Sequence, residues 1–437
     1  MNKLKVCHIL INILFYTIIY IFQTFLLKDN ILYDKLLFLS IMSLLIFVVN
    51  IYFYKIEYKY IFLLIMINIS IICFYFGQSY VYIFTKKTMY FHYFSQNNNN
   101  LILTAYYSAT RFLICFNIGI VIGDMIFKRK NKRKQIMLFK YSKILIKFLI
   151  IFNILIISYI SYVFFTFKYE GVRNIKFLIF IYKELRYFNV FYIFFLIGNK
   201  KNKDNKIYKF IYLLLSILLL TYGSREISIG MLVGYCGYSF IIENKKVNYK
   251  VIIMGLGIMS LVVIFADLRT GNKITNLNLF SVINKLLNEL GFTINTMIIS
   301  LKNLNISIKP RYGFVFIEPI VRLLKIDKIL SFKIDYLSDV ITNSENVSWG
   351  LGSSLLAEGY VNFEKYMDIF SLLIGIFYSR FLIVDGSNDI KKFLGIISIG
   401  MLCFSFRSDF TYIFLNLFYF SILPSFMFFI VSKGKRI

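Results

Sequence analysis

Apolar runs and short basic connections alternate along almost the whole chain. The runs fall at about 8–27, 33–54, 60–84, 101–127, 142–167, 175–197, 207–222, 226–242 and 250–266, and then at 366–384, 392–408 and 410–431. Hydrocarbon about 30 Å thick needs roughly 20 apolar residues per helix, and each run meets or nearly meets that length. The pattern predicts an all-α, polytopic membrane fold with about twelve transmembrane helices. We expect a single integral membrane domain over 1–437. The polar stretch 267–365, from DLRTGNK to SSLLAEGYVNFEK, is the one interruption long enough to build a site outside the bilayer.

Inside that stretch, 277–303 has apolar residues at helical spacing and predicts amphipathic helices lying along the membrane surface. Pro310 and Pro319, two of the three prolines, bracket RYGFVFIEP and predict a turn-bounded, re-entrant element. The segment from Trp349 to Phe363 is rich in small residues that allow close packing. If it is helical, Glu358 and Asn362 lie four apart on one face.

Orientation follows from the basic connections. KRKNKRK (128–134), NKKNKDNK (199–206), ENKK (243–246) and the tail KGKRI (433–437) all fall on one side when about twelve spans are threaded with both termini cytoplasmic. The same threading sets 267–365, Gly223-Ser224-Arg225 and Arg407-Ser408-Asp409 on the external face. The Asn97–Asn100 tract with its neighbours Thr85–Gln96 reads as a flexible external loop without a role. The N-terminal apolar run is too long for a signal peptide and lacks a small-residue cleavage site, which predicts an uncleaved first span. No repeat is visible that would support a transporter built from matching halves.

Composition narrows the class. With 59% hydrophobic residues, 16% charged and a mean hydropathy of +0.70, no stretch is left over for a soluble domain. The net charge of +28 is spread over short connections, as for loops facing anionic lipid, and this excludes a nucleic-acid surface. Cys7, Cys73, Cys115, Cys236 and Cys403 sit in or beside apolar runs, so there is no disulfide framework and no zinc spacing. The loop 267–365 holds neither histidine nor cysteine and no Asp-x-Asp pair, which leads us to expect metal-independent chemistry.

Candidate chemistry rests on charged residues at span ends and inside spans. Arg111, Lys183, Glu184, Arg186 and Arg380 lie within apolar runs, where charge is costly. Two readings stand for them: pairing or snorkelling, or an anion-binding cavity to which the Lys183–Arg186 strip contributes. Arg225 follows Gly223 and Ser224 at the start of a span, where free backbone N–H groups and a fixed guanidinium make a phosphate or pyrophosphate cradle; the other reading is an interfacial anchor. Arg269 follows another span, with Gly271 allowing a tight turn, and Arg407 with Asp409 forms a third such turn; the other reading of each is an interfacial charge or a local ion pair. Glu358, near an apolar boundary, suits a general base with a raised pKa, with Asn362 orienting a sugar hydroxyl, or else pairs structurally with an arginine.

Four motifs together carry a resemblance. Gly223-Ser224-Arg225-Glu226 opens a span, Leu268-Arg269-Thr270-Gly271 follows the next, Leu356-Ala357-Glu358-Gly359-Tyr360-Val361-Asn362-Phe363 precedes the last three, and Arg407-Ser408-Asp409-Phe410 lies between two of those. In order and spacing, over roughly 207–420, the chain resembles the Wzy-type O-antigen polysaccharide polymerases. One departure is that members often place glycine after the Asn-Phe pair, where this chain has Glu364.

The resemblance implies a GT-C-like, metal-independent membrane glycosyltransferase without a cofactor, in the bacterial cytoplasmic (inner) membrane. It implies transfer of a growing glycan from undecaprenyl pyrophosphate to a new lipid-linked repeat unit at the outer face. Arg225, Arg269 and Arg407 would stabilise the leaving pyrophosphate, and Glu358 would deprotonate or orient the acceptor hydroxyl. Gly223, Ser224, Asn362, Asp409 and Arg186 would contact substrate. Lipid-linked oligosaccharides, membrane lipid, a chain-length regulator and a flippase are the implied partners, with no nucleic acid. Competing readings are an O-antigen ligase-type transferase, against which the histidine-free loop argues, and a flippase or exporter, which leaves the long loop unexplained. An acidic residue in the first external loop, Asp29 or Asp34, reads as a turn residue, and a purely structural scaffold would tolerate every site substitution.

Overall fold

A computed structural model describes residues 3–26, 32–58, 61–86, 99–127, 205–221, 225–243, 279–329, 334–344, 352–384 and 389–427, with single positions between 151 and 197. Among the described residues the structure is almost entirely helical, with no β-strand and one isolated bridge between Leu304 and Ile308. The helices are α1 (Lys3–Leu26), α2 (Leu32–Glu57), α3 (Phe62–Thr85), α4 (Asn99–Phe127), α5 (Asn205–Thr221) and α6 (Arg225–Ile241). In the loop lie α7 (Leu279–Gly291), α8 (Ile294–Asn303), α9 (Glu318–Leu323), α10 (Ile326–Ile329), α11 (Leu337–Ser344) and α12 (Leu355–Phe363). They are followed by α13 (Met367–Leu382), α14 (Asp389–Leu402) and α15 (Phe410–Leu417).

Five segments among the described residues are long and apolar enough to cross a membrane: Lys3–Thr24, Leu32–Ile56, Phe62–Thr85, Asn99–Phe127 and Phe410–Met427. The apolar runs 142–167, 175–197 and 250–266 fall largely or wholly outside the described residues. The expected span at 392–408 is shorter than its hydropathy suggests, because the helix stops at Leu402 and a 3-10 turn, Ser405–Arg407, follows.

The chain forms two compact units, Met1–Asn131, Leu286–Ile383 and Leu402–Leu415 in the first, and Lys132–Lys285, Val384–Met401 and Asn416–Ile437 in the second. In the first, α1 to α4 run alternately up and down. Phe22 stacks on Phe38 at 3.5 Å while His8 meets Asn50 at 2.6 Å, so α1 and α2 are antiparallel. Ser40 bonds Ser79 at 2.9 Å between α2 and α3, and Asn117 bonds Asn68 at 2.9 Å between α4 and α3. Their amides are satisfied in pairs, which is what permits them at buried positions.

The broadest packing is of α13 on α4, and these two run parallel. Arg111 pairs with Asp368, Phe116 meets Tyr378 at 5.5 Å, and Gly119 and Gly123 lie against Gly375 and Ser379. Small residues four apart on both helices bring the backbones together. A Cβ at Gly119 would run into the Leu372 carbonyl, and one at Gly375 into that of Phe116. Charges inside the unit are paired: Lys5 bonds Asp124, which also accepts from Tyr58 at 3.2 Å, and Arg111 Nε donates to Asp368 at 3.1 Å beside the Tyr16 hydroxyl. For Arg111 the structure favours the pairing reading, and the exposed Arg380 lies over the Phe127 ring.

Asp368 opens α13 level with Arg111, which is 12 residues past Asn99 (111 − 99). At 1.5 Å per residue about 18 Å of α4 therefore continues beyond the start of α13. Loop elements pack alongside: α8 and α12 lie against α4, Asn295 of α8 bonds Gln78 of α3, and Gly291 fits against Gly77. Within 277–303 the expected amphipathic pattern appears in α7, with Val282 and Leu286 buried and Phe280 exposed. By contrast α8 is buried from Ile294 to Ser300. Its polar side chains are satisfied, Thr296 by the Thr293 carbonyl and Ser354 (each 2.8 Å) and Ser300 by the Thr296 carbonyl, so the helix needs no wet face.

In the second unit α5 and α6 form an antiparallel pair, with Lys209 bonded to Glu243 at one end and Ser228 to the Ser216 carbonyl at the other. Gly230 of α6 meets the backbone of Gly400 in α14.

Candidate active site

Ser354 caps α12. Its backbone is extended, at φ −149° and ψ 149°, and its Oγ accepts the Ala357 N–H at 3.0 Å. The cap fixes Glu358 in the first turn, pointing inward and 1% exposed. Across from it the chain leaves the Ser405–Arg407 turn and starts α15, and Glu358 Oε2 accepts the Phe410 N–H at 2.6 Å. The neighbouring Asp409 is also buried, with Oδ2 accepting from the Ser338 hydroxyl at 3.3 Å and from its N–H at 3.5 Å.

A third carboxyl completes the cluster. Glu318, at the start of α9, is buried and receives Arg322 Nε at 2.9 Å and Arg311 at 3.3 Å. The same guanidiniums reach onward, Arg311 to the Asp335 carbonyl and Arg322 to the Ile334 carbonyl, each at 2.7 Å. Arg322 also lies over the Tyr336 ring at 3.9 Å. Glu318 thus ties the turn at 311–318 to the segment leading into α11.

Burial raises the pKa of all three acids, because a charged carboxylate loses its hydration there. For Glu358 the rise is large; the Asp409 and Glu318 charges add to it, and the Phe410 N–H and Arg311 offset part of it. Asp409 is held back from a larger rise by Ser353, Ser338 and Arg311. Three acids facing two arginines, nearly closed to water, make a buried cluster suited to storing and accepting a proton.

The turn bearing these groups is recessed. Tyr75 of α3 faces Phe112 of α4 at 5.5 Å and donates its hydroxyl to the Phe406 carbonyl at 3.4 Å. Tyr75 lies 10 residues short of Thr85 (85 − 75), so the turn sits about 15 Å below that end of α3. Phe316, Phe363, Phe370 and Phe410 pack around the pocket, Phe316 on Phe410 at 5.8 Å and Phe363 on Phe370 at 5.9 Å. A small cavity in the second unit, bordered by Asn189, Gly230, Gly400 and Asn416, has no charged side chain in its lining. At about 30 Å³ it suits a water molecule and not a glycan.

Of the residues the sequence singles out, Glu358 and Asp409 come together. Asn362 is buried, but its amide serves the backbone: Nδ2 donates to the Glu358 carbonyl at 2.9 Å and Oδ1 accepts the Val315 N–H at 3.2 Å. Arg407 is exposed on the 3-10 turn, two residues before Asp409. Arg225 opens α6, and its side chain is outside the described residues. Gly223, Ser224, Arg269, Arg186, Lys183 and Glu184 are outside them too. The sequence reading missed Glu318, Arg311 and Arg322. The available signal was Glu318-x-x-x-Arg322, an i,i+4 pair of opposite charges.

Glu364 occupies the position after the Asn-Phe pair with φ +47° and ψ −119°, a backbone state that suits glycine and strains a side chain.

Over residues 6–435 the chain matches the family described as O-antigen polysaccharide polymerase Wzy. No curated protein and no solved structure matches it.

Proposed function

Because the chain belongs to the O-antigen polysaccharide polymerase Wzy family, we propose that it joins undecaprenyl-pyrophosphate-linked repeat units at the outer face of the cytoplasmic membrane. The growing glycan leaves its pyrophosphate carrier and is received by the non-reducing end of a newly flipped, lipid-linked unit. In this reading the fold is GT-C-like, with about twelve spans and both termini cytoplasmic. The parallel run of α4 and α13 supports the threading, which has both entering from the same side.

The observation that carries the mechanism is the buried carboxyl pocket of Glu358 and Asp409, sunk beside membrane-crossing helices. Raised pKa values equip it to take the proton of an acceptor hydroxyl. Glu358 orients the reacting groups through its hold on Phe410, and Asn362 keeps the 311–316 turn against α12. Arg225, Arg269 and Arg407 stabilise the departing pyrophosphate, with the Gly223-Ser224 backbone and Arg186 contributing to the same anion. The chemistry is metal-independent, since the guanidiniums supply the positive charge that a divalent ion would otherwise bring.

Depletion of the protein with profiling of lipid-linked glycans tests the proposal. Single repeat units accumulating on the outer face are expected. Long polymer held on its lipid would point to a ligase, and single units confined to the inner face would overturn the enzymatic reading in favour of a flippase. Full-length polymer from Glu358→Gln and Arg225→Ala proteins at normal levels would overturn the residue assignment.

A further inference from the structure

Among the described residues two buried polar atoms of the cluster are left without a well-formed hydrogen bond: Asp409 Oδ1 and Ser353 Oγ. They belong to one place. The Ser353 hydroxyl lies near enough to the Asp409 carboxyl to hold its pKa down, yet the two miss the geometry of a hydrogen bond. Buried polar atoms are seldom left so, and an orphan pair beside a carboxyl pocket suggests a group that arrives from outside. Ser353 and Asp409 are 1% and 5% exposed, so bulk water does not serve them.

Resting on the polymerase reading above, we infer that Ser353 and Asp409 form the notch that receives the acceptor sugar's hydroxyl, with Asp409 taking its proton. The chemistry of the two atoms selects the ligand. A carboxylate oxygen only accepts, and a serine hydroxyl donates as well as accepts. An incoming hydroxyl satisfies both, donating to Asp409 Oδ1 and accepting from Ser353, and one lone pair remains for attack. A carbonyl would leave Asp409 unserved. A phosphate would meet Asp409, Glu358 and Glu318 together, so the pyrophosphate of either substrate is excluded from this notch and only the neutral sugar end fits.

The three acids are otherwise engaged: Glu358 Oε2 holds the Phe410 N–H, Asp409 Oδ2 holds Ser338, and Glu318 holds Arg311 and Arg322. Of the three, Asp409 carries the buried carboxyl oxygen left without a partner among the described residues. In the transfer the hydroxyl oxygen bonds the donor's anomeric carbon and the bond from that carbon to the pyrophosphate oxygen breaks. Pyrophosphate leaves with the electron pair, and the hydroxyl proton passes to Asp409.

The test uses full-length protein in liposomes with lipid-linked repeat units, varying acceptor concentration and pH. Ser353→Ala is expected to raise the acceptor KM by roughly five- to tenfold, with kcat within about twofold of wild type. Asp409→Asn is expected to lower kcat by about a hundredfold or more and to remove the acidic limb of its pH profile. An unchanged acceptor KM in Ser353→Ala, or a preserved acidic limb in Asp409→Asn, overturns the notch while polymerisation by wild type leaves the reaction standing. Should Asp409→Asn not fold, the KM of Ser353→Ala decides alone. Absence of polymer from wild type overturns both.

Discussion

Glu358 and Phe410, 52 positions apart in the chain, are joined by a 2.6 Å bond from the Phe410 N–H to the Glu358 carboxyl. The contact docks the start of α15 on the first turn of α12 and brings together two motifs that the helices α13 and α14 separate in sequence. It also offsets part of the rise in pKa that burial and the Asp409 charge impose on the acid.

The Glu358 pKa in the folded chain lies well above its ordinary 4.5. A raised carboxyl binds its proton more tightly when folded, so its stabilising contribution is complete below about 4.5 and is lost as pH rises through the folded value. Wild type is expected to lose thermal stability as pH rises above about 4.5, and Glu358→Gln to flatten that slope and raise the melting temperature at the high-pH end. Asp409 and Glu318, raised in the same direction, keep part of the slope. Melting curves of both proteins across that range check it; parallel slopes would show that Glu358 carries no buried charge.

Glu364 stabilises when replaced by glycine. Its φ of +47° costs a side chain of order 1–3 kcal/mol, less the entropy that glycine loses on folding, so Glu364→Gly is expected to gain about 1 kcal/mol. Denaturation in detergent measures the difference. A destabilised Glu364→Gly protein would mean that its exposed side chain contributes more than the strain removes.

Gly119→Val is expected to fail where Gly119→Ala already suffers. Even one Cβ meets the Leu372 carbonyl, a backbone atom that cannot step aside without moving α13. Overpacking of this kind costs about 1–3 kcal/mol for a small group and more for a branched one. Yield of folded protein after extraction, compared with a substitution at the exposed Ile126, gives the readout.

Glu318→Ala leaves Arg311 and Arg322 without their shared carboxylate. Loss of one partner from a buried ion pair costs about 3–5 kcal/mol. The effect is expected to appear as a lower melting temperature of the detergent-extracted protein. An unchanged melting temperature would show that the Asp335 and Ile334 carbonyls hold the arginines unaided.

Sequence alone made the spanning helices legible, since lipid demands runs of a length that hydropathy displays directly; α3 and α4 end within two residues of where the pattern stops. It also made Glu358 and Asp409 legible as polar groups at apolar boundaries. Arg111 was visible as a misplaced charge, but its partner Asp368 is 257 positions away, and no local spacing announces such a pair. Arg311, Glu318 and Arg322 were hidden differently: they looked like ordinary loop charges because the fold, not the spacing, buries them. The burial of α8 was concealed too, since Asn295, Thr296 and Ser300 read as a solvated face until their partners are in place.

The late start of α13 along α4 has a consequence for the lipids themselves. The Glu358–Asp409 cluster, held against α3 through the Tyr75–Phe406 bond, keeps a fixed distance from the ends of that helix, while the plane in which phosphate headgroups rest moves as the bilayer thickens or thins with acyl-chain length. Under the proposed reaction a lipid carrier would bring its sugar down to that cluster, over a distance that the surrounding membrane sets. Tail length would then be a rate-setting variable, one written into neither substrate.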